Sequence, residues 1–518
     1  MKGEIDAQAA LRLCGIGALE TSLVSLDDGS TLGVRPGPDW WEVLAWTPSG
    51  VHLPVGIAGE TGPLGPGTLV TAAATPDTAA ALRQLVPWLR PRPLGDVTSM
   101  GLGDRLGMAT PGHVEALLAS PGVAPVLAQQ SARELSRTGR TFRDVVDAAT
   151  FGALASGWRE GYGADGDHLK TIEQLDGALE GGCTMITADP INLVPDLPAD
   201  APRDALGAAF ERVPWASLED DPKAFASRYP ESLALDRQHL PLPREALAAA
   251  AARFGAAVVQ VVMMYRHLLD ASDGRDVEFE VAVDEIAHPT TAVDHVYLAT
   301  ELHRLGVTWV SFAPRFVGRF EKGVEYIGDP GAYEADVTLH AAIARALGPY
   351  KLSVHSGSDK FSIYEATLRE TRGLVHLKTS GTSYLEALHT LALTEPELLR
   401  RVWHVALDSY TTARASYHVS AEVKKENVAD LPDAALARLF DDPNTREILH
   451  VSFGAVLGGS AEAQQGQAAG QLAREVRGAV WAHRDDYWSL LAEHIKRHLA
   501  PFSVASNAAP GAGTRARR

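Results

Sequence analysis

The chain has almost no cysteine: only Cys14 and Cys183 occur in 518 residues. Two thiols make neither a disulfide framework nor a four-ligand structural zinc site, so both are read as reduced thiols of a cytoplasmic protein. Long apolar runs are scarce too. Residues 248–264 come nearest, but Arg253 and Gln260 interrupt them. A membrane span needs about 20 apolar residues, so we expect a buried helix running into a strand, and no membrane partner. Residues 1–10 are acidic and polar, unlike a secretory signal. Positive charge is short: 47 Lys and Arg against 65 Asp and Glu leave a net charge of −18. Nucleic-acid binding needs a Lys/Arg excess on one face, which excludes that class of partner. Several catalytic signatures are also missing. Residues 101–107 spell G-x-G-x-x-x-G instead of the dinucleotide fingerprint, and no P-loop, H-E-x-x-H or G-x-S-x-G occurs.

What is present is a globular composition, 46% hydrophobic and 22% charged, with length for a large core and more than one unit. Residues 1–95 read as a small N-terminal α/β unit, with short strand patterns between turn signals and a helix before Arg90-Pro91-Arg92-Pro93. From residue 96 the rhythm becomes strand, polar loop, helix. Seven or eight such units fit in about 300 residues, which predicts a (β/α)8 TIM-like barrel over 96–395. Residues 196–240 are polar and proline-rich and are read as an insertion. A mostly helical C-terminal extension follows over 396–502, with 448–453 as a strand-like exception, and 503–518 is read as a disordered tail.

Barrel strands alternate inward and outward residues, so parity selects candidate site residues. On 162–170, Asp165 and Asp167 share a face and His168 takes the other. On 277–285, Glu278, Glu280 and Asp284 oppose Phe279, Val281 and Val283, and Glu285 leaves at the rim. His355 opposes Leu352 and Val354, while His376 and Lys378 oppose Val375 and Leu377. Carboxylates and an imidazole from different strands are ligands for a divalent cation with open positions. The set is Asp167, Asp284 or Glu285, and His355, with Asp189 and His168 in reserve. Each has a plainer reading: a strand-end histidine is often only hydrogen-bonded, and an Asp-Glu pair before a helix complements its dipole. The case rests on several strands showing one pattern. Arg105, Arg133, Arg315, Lys360 and Lys378 are basic groups at rim positions, which suits an anionic or oxygen-rich ligand. Glu134 follows the second strand and is a candidate acid/base.

Several long stretches carry a resemblance: GLGDRLGMATPGH (101–113), YGADGDHLKT (162–171), EVAVDE (280–285), residues 301–329, residues 340–364, VHLKTSGTSYLEAL (375–388) and LHVSFGAVL (449–457). Together they resemble the tagaturonate epimerase family across residues 96–457. The resemblance implies a barrel-like, metal-dependent sugar-acid epimerase that interconverts D-tagaturonate and D-fructuronate. It implies Asp167, Glu285 and His355 as metal positions on a divalent ion (Mn, Zn, Ni or Co). His389 is given no role. The two keto acids differ at a hydroxyl-bearing carbon two bonds from the ketone, so simple enolisation does not acidify its C–H. A retro-aldol route is expected, with Glu134 or Lys378 moving the hydroxyl proton and Arg315, Lys360 or Arg105 holding the carboxylate. A related ketose/aldose isomerase, C4-epimerase or aldolase, or a non-catalytic sugar-acid binder, are the alternatives. A homo-oligomer is expected to be possible.

Overall fold

The computed structural model describes residues 7–236, 238–423, 431–458 and 467–506. The N-terminal unit is a five-stranded antiparallel sheet ordered Val24–Ser25, Thr31–Pro36, Trp41–Pro48, Gly67–Ala73, Glu60–Leu64. Helix Pro76–Leu85 follows, its start capped by Thr75 with Pro76 in the first turn.

Eight parallel strands then close a barrel: β1 (Ser99–Leu102), β2 (Ala124–Ser131), β3 (Gly163–Leu169), β4 (Met185–Ala188), β5 (Glu278–Ala282), β6 (Ser311–Ala313), β7 (Lys351–Val354) and β8 (Val375–Thr379). Each pairs with the next, and β8 pairs back onto β1 with Lys378 opposite Gly101. Barrel interiors are ordinarily filled by branched apolar side chains. Here buried polar residues fill much of that space: Gln129, Asp165, Thr187, Glu280, Ser311, Ser353, His376 and Lys378 are each at most 3% exposed. The register aligns them. Gln129 lies opposite Asp165, and Glu280 lies opposite both Thr187 and Ser311.

One irregularity matters for the site. Between β3 and β4, Gly166 pairs with Ile186 but Leu169 pairs with Ala188, so β3 holds one extra residue. His168 takes it up in the left-handed region, at φ 52°. The bulge breaks strict alternation just where Asp167 and His168 leave the strand.

Residues 196–240 form helices Arg203–Phe210 and Pro222–Arg228 and a hairpin of Ser232–Ala234 with His239–Pro241. The apolar run near residue 250 does not turn into a strand. It lies within one 28-residue helix, Arg244–Ala271, apolar enough by length and composition to cross a membrane, with 67% of its most apolar 18-residue window buried inside the fold. Arg253 is accommodated by an ion pair to Asp294.

The strand expected at 448–453 is a helix, Pro443–Val451, continued by Phe453–Leu457. Asp442 caps it and Pro443 opens it. A closed barrel has no free edge for a further strand to join, and Ile448, Leu449 and Val451 are buried between helices instead. The last helix, Arg484–Ser506, runs past the boundary expected at 502; residues 507–518 of the expected tail lie outside the described residues.

That helix packs on the helices that follow β1, β7 and β8. Trp481, just before it, meets Trp41 of the N-terminal sheet and the preceding Trp40 at 5.0 Å, tying the C-terminal helices to the N-terminal unit. Below the barrel mouth, His494 bonds Asp359 at 2.6 Å and Glu386 at 3.0 Å. Arg446 reaches Asp359 at 3.0 Å, and His498 Nε2 accepts the Asp359 N–H at 2.9 Å. Burial opposes charge on His494, but Asp359 and Glu386 outweigh it and raise its pKa from 6.5 to about 9. A raised histidine gives stability that is full below the unfolded value and lost as pH rises through the folded one. Denaturant titrations are therefore expected to lose stability between pH 6.5 and about 9, and His494→Gln is expected to flatten that slope.

Candidate active site at the barrel mouth

Lys378 stands at the centre. Its ammonium reaches Asp165 at 2.8 Å, Asp167 at 2.7 Å and Glu280 at 2.7 Å, and donates to Thr187 Oγ1 at 2.8 Å. Strands β3, β4, β5 and β8 thus converge on one nitrogen. Burial opposes its charge, but the three carboxylates outweigh burial and hold its pKa well above the ordinary lysine value. Held protonated between three carboxylates, Lys378 has no lone pair to offer as a base. Asp165 moves the other way: burial, with Asp167 and Glu280 beside it, lifts its pKa to about 6 against the pull of Lys378.

His355 follows β7. Its Nε2 lies 2.8 Å from Glu280 Oε1, and its Nδ1 lies 3.0 Å from Asp284 Oδ1 and 3.2 Å from His168 Nε2. His168 Nδ1 is held by Asp189 at 3.2 Å, and Lys170 also approaches Asp189 at 3.5 Å. Two imidazoles therefore point one nitrogen at each other, while a carboxylate fixes each ring's other nitrogen. Asp167, His168 and His355 each offer a ligand atom, all within 4.8 Å of one another, and His168, Asp189 and Glu285 do likewise. Six carboxylates (Asp165, Asp167, Asp189, Glu280, Asp284 and Glu285) gather here, and among the described residues the Lys and Arg side chains in direct ion pairs with them are Lys378, Arg133 and Lys170. Burial opposes protonation of both imidazoles, yet Asp167 and Asp284 raise His168 to about 10, and Asp284 with Glu280 raises His355 to about 9. A field that draws protons onto facing histidines is one that a divalent cation satisfies, and carboxylate-held imidazoles are its usual ligands. The donor set fits such an ion.

Two cavities that share a wall lie at this centre. The narrow one, about 30 Å³, is walled by Gln129, Glu134, Asp167, His168 and Lys378, among others. The wider one, about 460 Å³, has the size of a small-molecule site. Glu285, Lys322, His355, Ser356 and Tyr417 line both.

The residues expected from sequence are distributed as follows. Asp167, Asp284, Glu285, His355 and Lys378 come together. Arg133 pairs with Glu285 at 2.5 Å. Glu134 and Arg105 face the narrow cavity and bind each other at 2.8 Å, with Glu134 also closing a capping box on Ser131. Arg315 faces the wide cavity. Lys360 does not reach either. Its amine is consumed by the carbonyls of Glu321, Val324 and Ser358, so it fastens a loop and cannot hold a substrate. The reserve pair His168 and Asp189 belongs in the centre; parity set His168 aside because no sequence signal marked the bulge. Glu280 was legible as inward-facing. Tyr417 and Lys322 arrive from loops and carry no pattern.

A family model described as tagaturonate epimerase (UxaE) matches residues 62–502. The chain belongs to the tagaturonate epimerase family. It is 40% identical over 422 residues to a tagaturonate/fructuronate epimerase of Thermotoga maritima, covering 81% of this chain and 83% of that one. The crystal structure of the fructuronate-tagaturonate epimerase UxaE from Cohnella laeviribosi superposes with a TM-score of 0.85 at 30% identity, over 96% of this chain and 99% of that one. A form of the same enzyme with two glycerols bound gives 0.86 at 31% identity, over the same shares of the two chains. The chain is accordingly an isomerase of the epimerase type, and the closed barrel is the family's architecture.

Lys378→Met tests the centre of this epimerase. Removing one partner of a buried ionic cluster costs about 3–5 kcal/mol, so the denaturation midpoint is expected to fall markedly and activity to be lost.

Proposed function

We propose that this chain interconverts D-tagaturonate and D-fructuronate by a retro-aldol route that depends on a divalent cation. The convergence of Asp167, His168 and His355, with a carboxylate behind each ring, is the observation that carries the reading. These three side chains would hold the ion, with Asp284 and Glu285 completing the set. Bound there, the cation supplies Lewis acidity to the substrate's ketone oxygen.

The chain's own residues have separable tasks. Lys378 fixes Asp165, Asp167 and Glu280 and keeps their charge from dispersing the site. Asp189 and Glu280 orient the two imidazoles. Of the carboxylates lining the narrow cavity, Asp167 and Glu285 belong to the ion, which leaves Glu134 to take the proton from the C4 hydroxyl. As that proton leaves, the C3–C4 bond breaks and its electron pair passes to C3, conjugated with the C2 ketone. C4 becomes an aldehyde carbon. The aldehyde fragment turns, C3 attacks its other face, and Glu134 returns the proton to oxygen. The narrow cavity, about 30 Å³, admits only the reacting end, so the fragments extend into the wide cavity of about 460 Å³ while they are apart. Arg105 steadies Glu134, and Arg315 serves the substrate carboxylate from the wide cavity.

Two measurements test this reading. Chelation is expected to abolish activity and a divalent ion to restore it, with His168→Ala and His355→Ala each lowering the bound-ion stoichiometry from one toward zero. In deuterated water, the epimeric carbon is expected to remain unlabelled while an added labelled aldehyde fragment exchanges into product. Deuterium at that carbon would mean direct proton transfer instead, and ion binding with no turnover of either keto acid would favour a binding protein.

A further inference from the structure

The two cavities are lined by six cationic side chains: Arg105, Arg133, Arg315, Arg319, Lys322 and Lys378. Four are already neutralised. Arg105 pairs with Glu134, Arg133 with Glu285, Arg319 with Glu321 at 3.2 Å, and Lys378 with its three carboxylates. Among the described residues, Arg315 and Lys322 have no carboxylate at ion-pair distance. The Arg315 Nε is buried without a hydrogen-bond partner. The Lys322 ammonium donates to one neutral group, Ser356 Oγ. Both line the wide cavity, and Lys322 lines the narrow one as well. A buried donor left unpaired is costly and is normally matched by an acceptor. In a chain of net charge −18 that pairs its other cavity-lining cations, two left open on one cavity form a receptor for an anion.

We propose that Lys322, with Arg315, receives the substrate's terminal carboxylate, and that Lys322 is the residue that selects a keto acid over the neutral ketose of the same carbon skeleton. This rests on the epimerase reading above. It adds the direction of binding: the carboxylate end lies in the wide cavity and the ketone end at the Asp167, His168 and His355 cluster. A uronate supplies the missing countercharge, and a ketose with a hydroxymethyl group in that place leaves both cations unsatisfied.

The competing explanation is structural. Lys322 bonds Ser356, which follows His355, so its loss would disturb the ion's ligand. The experiment separates the two. Lys322→Met and Lys322→Arg are assayed with D-tagaturonate, D-tagatose is measured as substrate or competitive inhibitor, and bound ion is quantified in each protein. Charge-assisted hydrogen bonds of this kind correspond to about a ten- to hundredfold effect. Lys322→Met is expected to raise the KM for tagaturonate by that factor with ion content intact, leave the D-tagatose constant within about threefold, and be largely rescued by Lys322→Arg. Ser356→Ala, which removes the neutral contact, is expected not to reproduce the selective KM effect. An unchanged KM, or equal weakening toward the acid and the neutral sugar, overturns the proposal. Wild-type protein inert toward tagaturonate would instead overturn the epimerase reading on which it rests.

Discussion

One buried ammonium organises the barrel mouth. Lys378 sits 2.7–2.8 Å from Asp165, Asp167 and Glu280, all almost wholly removed from water. Such a cluster is a poor source of net stability, because desolvation consumes most of the Coulombic gain. Its value lies in geometry. Three carboxylates from two strands cannot crowd into a dry barrel without a cation between them, and once fixed they dictate where everything above them points. Glu280 sets the His355 ring. Asp167 lies beside His168, and Asp189 sets the His168 ring from behind.

The arrangement also separates the tasks of the site. Carboxylates deep in the barrel position others, those at the rim face the cavities, and Arg105 and Arg133 are matched to acids that would otherwise repel the substrate. The C-terminal helix contributes from outside. Through His494 and His498 on Asp359, with Arg446 of helix Pro443–Val451 beside them, it holds the loop that begins at His355, so a segment remote in sequence steadies a residue at the centre. Asp359, His494 and His498 look like a second ligand cluster. Their lone pairs and protons, however, are already committed to Glu386, Arg446 and a backbone N–H. Those contacts make the cluster a latch between the C-terminal helix and the loop after β7.

Much of this was legible in the sequence, for physical reasons. A parallel barrel strand has a strict period of two, so a polar residue opposed by Leu and Val must face the axis; this located Asp167, Glu280, His355 and Lys378. The repeated strand–loop–helix rhythm fixed the architecture. Where the reading failed, long-range geometry was at work. His168 was assigned to the wrong face because a one-residue bulge, with φ 52°, cannot be seen in a heptapeptide of Gly, Ala, Asp, His and Leu. Lys360 looked like a rim cation, but its side chain turns back onto three carbonyls. Residues 448–453 read like a strand, but they continue a helix started by Asp442 and Pro443, and the closed barrel offers them no edge. Lys378 was proposed as a base, and its three acidic partners are 98, 211 and 213 positions away, too distant in sequence for any local pattern to show them.

The central claim is that one divalent cation sits between the imidazoles of His168 and His355 and the carboxylate of Asp167. Anomalous diffraction from crystals soaked in manganese or zinc tests it most directly. The account predicts a single strong peak within bonding distance of His168 Nε2, His355 Nδ1 and an Asp167 oxygen. A peak at Asp359, His494 and His498 with none at the barrel mouth, or no peak at either, would contradict it.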